Sequence, residues 1–202
     1  MLDVLGVPTG PNCDVPHAVS VIESLTRIQK LDFWMRNPDY LADELLTEFE
    51  KGRVSLPDIR DHVARMLTGS TPSLHTYRME RYLYGAYEFI DNALGVLKTY
   101  GQITFRREAD TGTQSRKDVF LLERGKATVA RMRAELPELE WYDQQAAAIA
   151  LIADAAQGAS ARNRQYDQPE YKATAHGDLI PSISDRVKDR AVALTVVKAG
   201  EV

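Results

Sequence analysis

The sequence predicts a mainly α-helical fold built around one β-hairpin, and three observations carry that reading. Apolar residues recur at helical spacing through most of the chain. Asn37-Pro38, Gly52, Gly101 and Pro137 punctuate those runs where helices should stop and start. Only after Tyr100-Gly101 does the period fall from 3.6 to 2, over residues 103–107 and again over 119–122.

Residues 16–36 read as a helix, with Asp14 near its cap and Pro16 in its first turn. Val19, Ile22, Thr26, Gln29 and Phe33 share a stripe while Val21, Leu25, Ile28, Leu31 and Met35 occupy neighbouring faces, so this helix should be covered on more than one side. Pro38 pushes Asn37 out of the α region and can open a second helix, 38–51, which Gly52 ends, giving an αα-hairpin. Pro57 introduces a third helix, reaching Leu67 and faced by Ile59, Val63 and Met66. After a turn at 68–72, residues 73–99 are helical in period, and Gly85 divides them into two helices or kinks one. Leu83, Tyr87, Ile90, Leu94 and Leu97 form the core stripe of the second part.

The two strands enclose a polar tip around Asp110, Gly112 and Ser115 and read as a hairpin. Gly125 leads into a helix at 126–136, stopped by Pro137. An alanine-rich helix follows at 138–157, with Tyr142, Ala146, Ile149, Ala153 and Ala156 on one side. Residues 159–181 are polar and read as irregular; 184–198 make a final helix with Val187, Ala191, Leu194 and Val197 at helical spacing. The organisation is an N-terminal helical hairpin (1–54), a central unit (55–136) and a C-terminal helical extension (137–202).

With 202 residues, 44% hydrophobic and 27% charged, the chain can bury a substantial core. No run approaches the ~18 apolar residues of a membrane span, so a soluble protein without a membrane partner is expected. The single Cys13 cannot form an internal disulfide and the first residues lack a secretory pattern, which points to the cytoplasm. Lys plus Arg number 25 against 29 Asp plus Glu, a net −4 that argues against a dedicated nucleic-acid binder. The charge is unevenly placed, however. Residues 105–133 hold eight bases and four acids, residues 32–61 hold eight acids and four bases, and residues 134–161 hold five acids and no base.

The order Leu94, Leu97, Tyr100-Gly101-Gln102-Ile103, a polar tip, then Phe120-Leu121-Leu122-Glu123-Arg124-Gly125-Lys126 resembles the second half of a winged helix-turn-helix domain over residues 55–136. The resemblance implies that the helix at 86–99 would face a DNA groove while the wing touches the flanking backbone. That helix carries Glu88 and Asp91 and only Lys98 as a base, which makes it a poor groove reader. The candidate contacts are the wing residues Arg106, Arg107, Arg116 and Lys117, directed at DNA phosphates or an acidic partner; a merely solvated charged surface is the alternative. Leu31, Phe33, Trp34 and Met35 offer more apolar surface than one hairpin can cover and form a candidate partner interface. The aromatics Tyr77, Tyr82, Tyr84, Tyr87, Phe89 and Tyr100 read mostly as core and subunit interface.

His17, His62, His75 and His176 are far apart in sequence and Cys13 has no neighbouring His, so no metal or cofactor is expected. Phosphate-loop and serine-hydrolase motifs are missing, and His176-Gly177-Asp178 reads as an ordinary loop. The stretch Thr26-Arg27-Ile28-Gln29-Lys30-Leu31-Asp32-Phe33-Trp34-Met35-Arg36-Asn37-Pro38-Asp39-Tyr40-Leu41, followed by the wing pattern, is similar to the middle component of ABC-three-component, or Lamassu-type, anti-phage systems. That similarity implies a non-enzymatic adaptor associated with an SMC-like ATPase and an effector subunit. The competing expectation is a winged-helix transcription regulator, a homodimer joined through its terminal helices.

Overall fold

The computed structural model describes residues 1–68, 79–82, 85–86, 90–108, 116–152, 163–164 and 166–196. The protein is mainly helical with a small antiparallel sheet. Its N-terminal part comprises α1 (Leu2–Leu5), β1 (Val7–Pro8), β2 (Ala18–Ile22), α2 (Leu25–Arg36), α3 (Pro38–Glu50) and α4 (Leu56–Thr68). The middle holds β3 (Arg81–Tyr82), β4 (Gly85–Ala86), α5 (Asp91–Thr99), β5 (Ile103–Glu108), β6 (Arg116–Leu122) and α6 (Glu123–Glu135). A 3₁₀ turn (Pro137–Leu139), α7 (Glu140–Ala150), α8 (Pro169–Ala173) and α9 (Ser184–Ala193) complete it.

The αα-hairpin forms as its punctuation dictates. Asn37 leaves the helical region, and both its backbone N–H and its side-chain amide donate to the Phe33 carbonyl, at 2.9 and 2.8 Å. Gly52 takes φ +67, so that the Arg53 N–H can return to the Glu48 carbonyl at 2.9 Å and close the end of α3. At the start of α4, Asp58 accepts from the Ser55 N–H (3.0 Å) and hydroxyl (2.5 Å), which holds its carboxyl below the usual range.

The expected helix at 16–36 is half strand. It starts only at Leu25, because Val19, Val21 and Ile22 are β-branched and find an open edge of the hairpin: β2 pairs with β6, Val21 opposite Phe120 and Ile22 opposite Val119. The sheet order is β1-β2-β6-β5, so the expected hairpin is half of a four-stranded sheet. Between β2 and α2, Ser24 adopts φ +69 and donates its N–H to Asp118 of β6 at 3.0 Å.

Residues 73–99 also depart from a helical reading. Arg81–Tyr82 and Gly85–Ala86 pair antiparallel, and α5 begins at Asp91. The remainder of that stretch, with Leu83 and Tyr87, the 69–72 turn and the tip at 109–115, lies outside the described residues. Within 159–181, expected to be irregular, Pro169–Ala173 is helical and the chain pairs with the segment at 79–81: Ile180 N–H donates to Met79 O and Arg81 N–H to Asp178 O, both at 2.9 Å. Long-range pairing orders here what local periodicity does not announce.

One apolar cluster draws on α2, α3, α4, β5, β6, α7, α8 and α9. Leu31, Phe33, Trp34 and Met35, the expected partner interface, are buried in it. The surface that one hairpin leaves uncovered is covered by the chain itself. Phe33 meets Tyr40 edge-on at 5.1 Å and Tyr171 at 6.3 Å, while α7 packs on α2.

Helix α6 starts three residues earlier than expected, placing Gly125 in its first turn. A Cβ there would lie 2.3 Å from the Gln102 carbonyl oxygen and 2.8 Å from Leu121 Cδ1. The exposed Gly95 of α5 has nothing within 4 Å of its Cβ position. Gly125→Ala is therefore expected to cost about 1–3 kcal/mol through overpacking, and Gly95→Ala to stabilise by about 0.5–1 kcal/mol through helix propensity. Urea midpoints of the two variants, moving in opposite directions from wild type, check this.

Candidate contact surface on the hairpin

Successive side chains on a strand point to opposite faces. The β5–β6 register pairs Arg106 with Asp118 and Arg107 with Lys117, so the four candidate residues divide into two pairs with different surroundings. Arg106 lies on the face that carries Asp118 and Phe120: its Nη1 reaches Asp14 at 2.5 Å, its Nη2 lies 3.7 Å from Asp118, and its guanidinium sits 5.1 Å from the Phe120 centroid. Arg116 shares that face, 2.9 Å from Asp118 and 3.7 Å from Glu23. Asp118 is fully buried, so these arginines neutralise an interior carboxylate and join the hairpin to the start of α2. Their charge is used inside the molecule.

Arg107 and Lys117 face the other way. Lys117 Nζ stands 4.1 Å from the Phe105 ring centroid, and Lys98 Nζ, from the last turn of α5, stands 5.4 Å from the same ring. Arg124, at the start of α6, lies with its Cδ 4.0 Å from the Cβ position of Gly101, next to this turn. Lys98, Arg107 and Arg124 are exposed and Lys117 half-buried, and none of the four has an ion pair among the described residues. Sequence reasoning named Arg107 and Lys117 but missed Lys98 and Arg124. The i to i+7 separation of Lys98 and Phe105 across the Tyr100-Gly101 turn was the available signal.

Helix α5 is also less acidic than expected. Asp91 sits in its first turn, at the opposite end from Lys98, and Glu88 lies outside the described residues. Beside Lys98, its exposed surface carries Val96 (55% exposed), and Tyr100 (61%) follows at its end.

The largest group of charged side chains is elsewhere, between α3 and the C-terminal segment. Asp43 receives Arg190 at 2.6 Å, Arg186 at 3.2 Å and the Gln168 amide at 2.9 Å. Arg164 binds Glu44 at 3.0 Å and Glu48 at 2.6 Å, and Arg53 grips Glu48 with two bonds, at 2.6 and 2.7 Å. Asp39 accepts from the Ile183 N–H and the Ser182 hydroxyl, both at 2.8 Å, capping the chain where α9 begins. These contacts pin the C-terminal segment over the aromatic core. His176 and Asp178 lie on an exposed turn tied to Arg81 by backbone hydrogen bonds.

No family model matches the chain, and neither a curated protein nor a solved structure does. Among the described residues no helix is long and apolar enough to cross a membrane.

The two buried glutamates of α3 respond oppositely to pH. Burial raises the Glu44 carboxyl above its ordinary range, with the Arg164 hydrogen bond opposing. Burial would do the same to Glu48, but hydrogen bonds from Arg53 and Arg164 outweigh it and leave that carboxyl below its ordinary 4.5. A lowered folded-state pKa contributes stability that is complete above the unfolded value and is lost as acid protonates the group; a raised one has the opposite sign. Glu48→Gln should therefore lower stability most near neutral pH, with the difference from wild type shrinking as pH falls below 4.5. Denaturation at a series of pH values measures it.

Proposed function

We propose that the protein is a non-enzymatic adaptor or accessory subunit of a multiprotein assembly, touching an acidic partner through the cations at the Phe105 end of the hairpin. The observation that carries this reading is the division made by the pleat: Arg106 and Arg116 are taken up by Asp14, Asp118 and Glu23, whereas Lys117 and Lys98 stand against the Phe105 ring and the exposed Arg107 pairs in register with Lys117, none of the three with an ion pair among the described residues. Cations held in place by an aromatic ring, with no internal acid to neutralise them, suit an external anion. The acids of α3 are engaged by arginines in fixed ion pairs, which supports a structural rather than a catalytic use of the densest titratable cluster.

The order of helix, hairpin and helix supports the winged-helix resemblance, and with it the reading of an accessory subunit beside an SMC-like ATPase and an effector. A phosphate backbone is a second ligand of the same chemistry for the hairpin, contacted without sequence preference. The exposed Val96 of α5 and the exposed Tyr100 ring at its end add apolar and aromatic surface suited to protein contact. This sets the adaptor ahead of a transcription regulator.

Capture of the intact chain from the cells that make it, followed by mass spectrometry, tests the proposal, and a large coiled-coil ATPase among the retained proteins is the expected result. Arg107→Glu with Lys117→Glu should abolish retention while leaving the melting temperature within a few degrees of wild type. Arg116→Gln should instead lower the melting temperature and spare retention, because Asp118 then loses a partner. If duplex DNA is retained, the double reversal should reduce the slope of log affinity against log salt by about two. Retention of every partner and of DNA unchanged by the double reversal would sink the assignment of this face.

A further inference from the structure

Among the described residues, helix α6 is held to the rest of the chain by His17 at Glu123 and otherwise along one side. On that side Gly125 is buried against Gln102, Val129 is half-buried, and Arg133 forms ion pairs with Asp3 and Asp143, each at 2.6 Å. The other residues of α6, apart from the half-buried Thr128, are exposed. Along one flank Arg124, Thr128, Arg131, Met132 and Glu135 recur at helical spacing. The flank has opposite character at its two ends. At its N-terminal end Arg124 adjoins the Tyr100-Gly101 turn, where Tyr100 is 61% exposed and the exposed Lys98 lies two residues before it. At its C-terminal end stand Met132 and Leu136, each 40% exposed, with the exposed acids Glu135, Glu138 and Glu140.

A surface that is basic and aromatic at one end, acidic and aliphatic at the other, is complementary to itself when turned end over end. Rotation about a two-fold axis through the middle of such a helix does this, and it produces a closed pair instead of an open chain. We infer that α6 is a two-fold interface between two copies of this protein, each α6 running antiparallel to its counterpart. Arg124 of each copy then faces Glu135 of the other, about 16 Å along the helix from its own Glu135. Met132 lies over the opposing Thr128, and the Tyr100 ring closes against the opposing Leu136. The existing Arg131–Glu135 contact, 3.9 Å long and highly exposed on both sides, is too weak to compete. Arg107 and Lys117 take no part, so the dimer presents two copies of the hairpin contact face and stands or falls independently of the adaptor proposal.

Sedimentation equilibrium of the full chain across the micromolar range tests this. The wild type should dimerise. Arg124→Glu and Glu135→Arg should each weaken the dimer about tenfold or more, since each places like charges opposite one another twice. An equimolar mixture of the two single variants should recover wild-type affinity as a heterodimer, because both cross-pairs then become opposite in charge; the chain carrying both reversals should recover it as a homodimer. Both positions are exposed, and far-ultraviolet circular dichroism of each variant checks that the fold is retained. A wild type that stays monomeric overturns the inference. So does a dimer indifferent to both reversals, or one that neither the mixture nor the double variant restores.

Discussion

Four carboxylates of α3, Asp39, Asp43, Glu44 and Glu48, are buried, and an ionised carboxylate inside a protein must be paired or hydrogen-bonded. Arg53, just beyond α3, and the Tyr40 N–H supply partners from nearby, and Arg164, Arg186, Arg190, Gln168, Ser182 and the Ile183 N–H supply partners from the C-terminal segment. The pairing fixes where that segment runs. Tyr171 can then close on Phe33, Val187 and Ala191 of α9 can enter the core, and Trp34 and Leu31 are removed from water. A buried ion pair adds little over an apolar pair of the same shape, but losing one partner strands the other charge. The network thus specifies the docking position, while the apolar area it closes over drives the docking.

A smaller version of the same constraint organises the sheet. Asp118 is buried beside the β2–α2 turn, accepts the Ser24 N–H and draws Arg106 and Arg116 to its own face of the hairpin. Since adjacent strand residues face opposite ways, the same demand leaves Arg107 and Lys117 on the other face, with Lys98 added by α5 and Arg124 by α6. One interior acid thereby sorts a run of bases into those it pairs with and those on the opposite face of the strands. Charge on α6 is sorted by a similar rule: Arg133 turns inward to Asp3 and Asp143, while Arg124 and Glu135 remain outside.

Elements whose stability is local could be read along the chain. Asn37-Pro38 ends α2, Gly52 ends α3, Pro57 lies in the first turn of α4, and the period-2 runs form β5 and β6. The misreadings fall where a distant partner decides. Residues 18–22 have apolar spacing compatible with a helix, and the open edge of β6 makes them a strand. Residues 79–81 lie in a stretch of helical period and 178–180 in one that reads as irregular, and they order each other as paired extended chain. The candidate site was half legible for the same reason. The bases of the wing were visible as a run, but which of them Asp118 would take up, and that Lys98 and Arg124 would join the remainder, depended on the packing of α5, α6 and β2 around the hairpin.

By itself the sequence determined the mainly helical class, the αα-hairpin, the position of the β-hairpin and the uneven placement of charge, because propensity, turn chemistry and periodicity act between residues close in the chain. Only the tertiary structure decided that Phe33 and Trp34 belong to the core and not to a partner. It also decided that the acids of α3 bind the C-terminal arginines, and that two of the four hairpin bases have no ion pair among the described residues. Those outcomes depend on which carboxylate lies within a few ångströms of which guanidinium, and distances of that kind are set by the packing of segments far apart in the chain, 92 residues for Arg106 and Asp14 and 147 for Arg190 and Asp43.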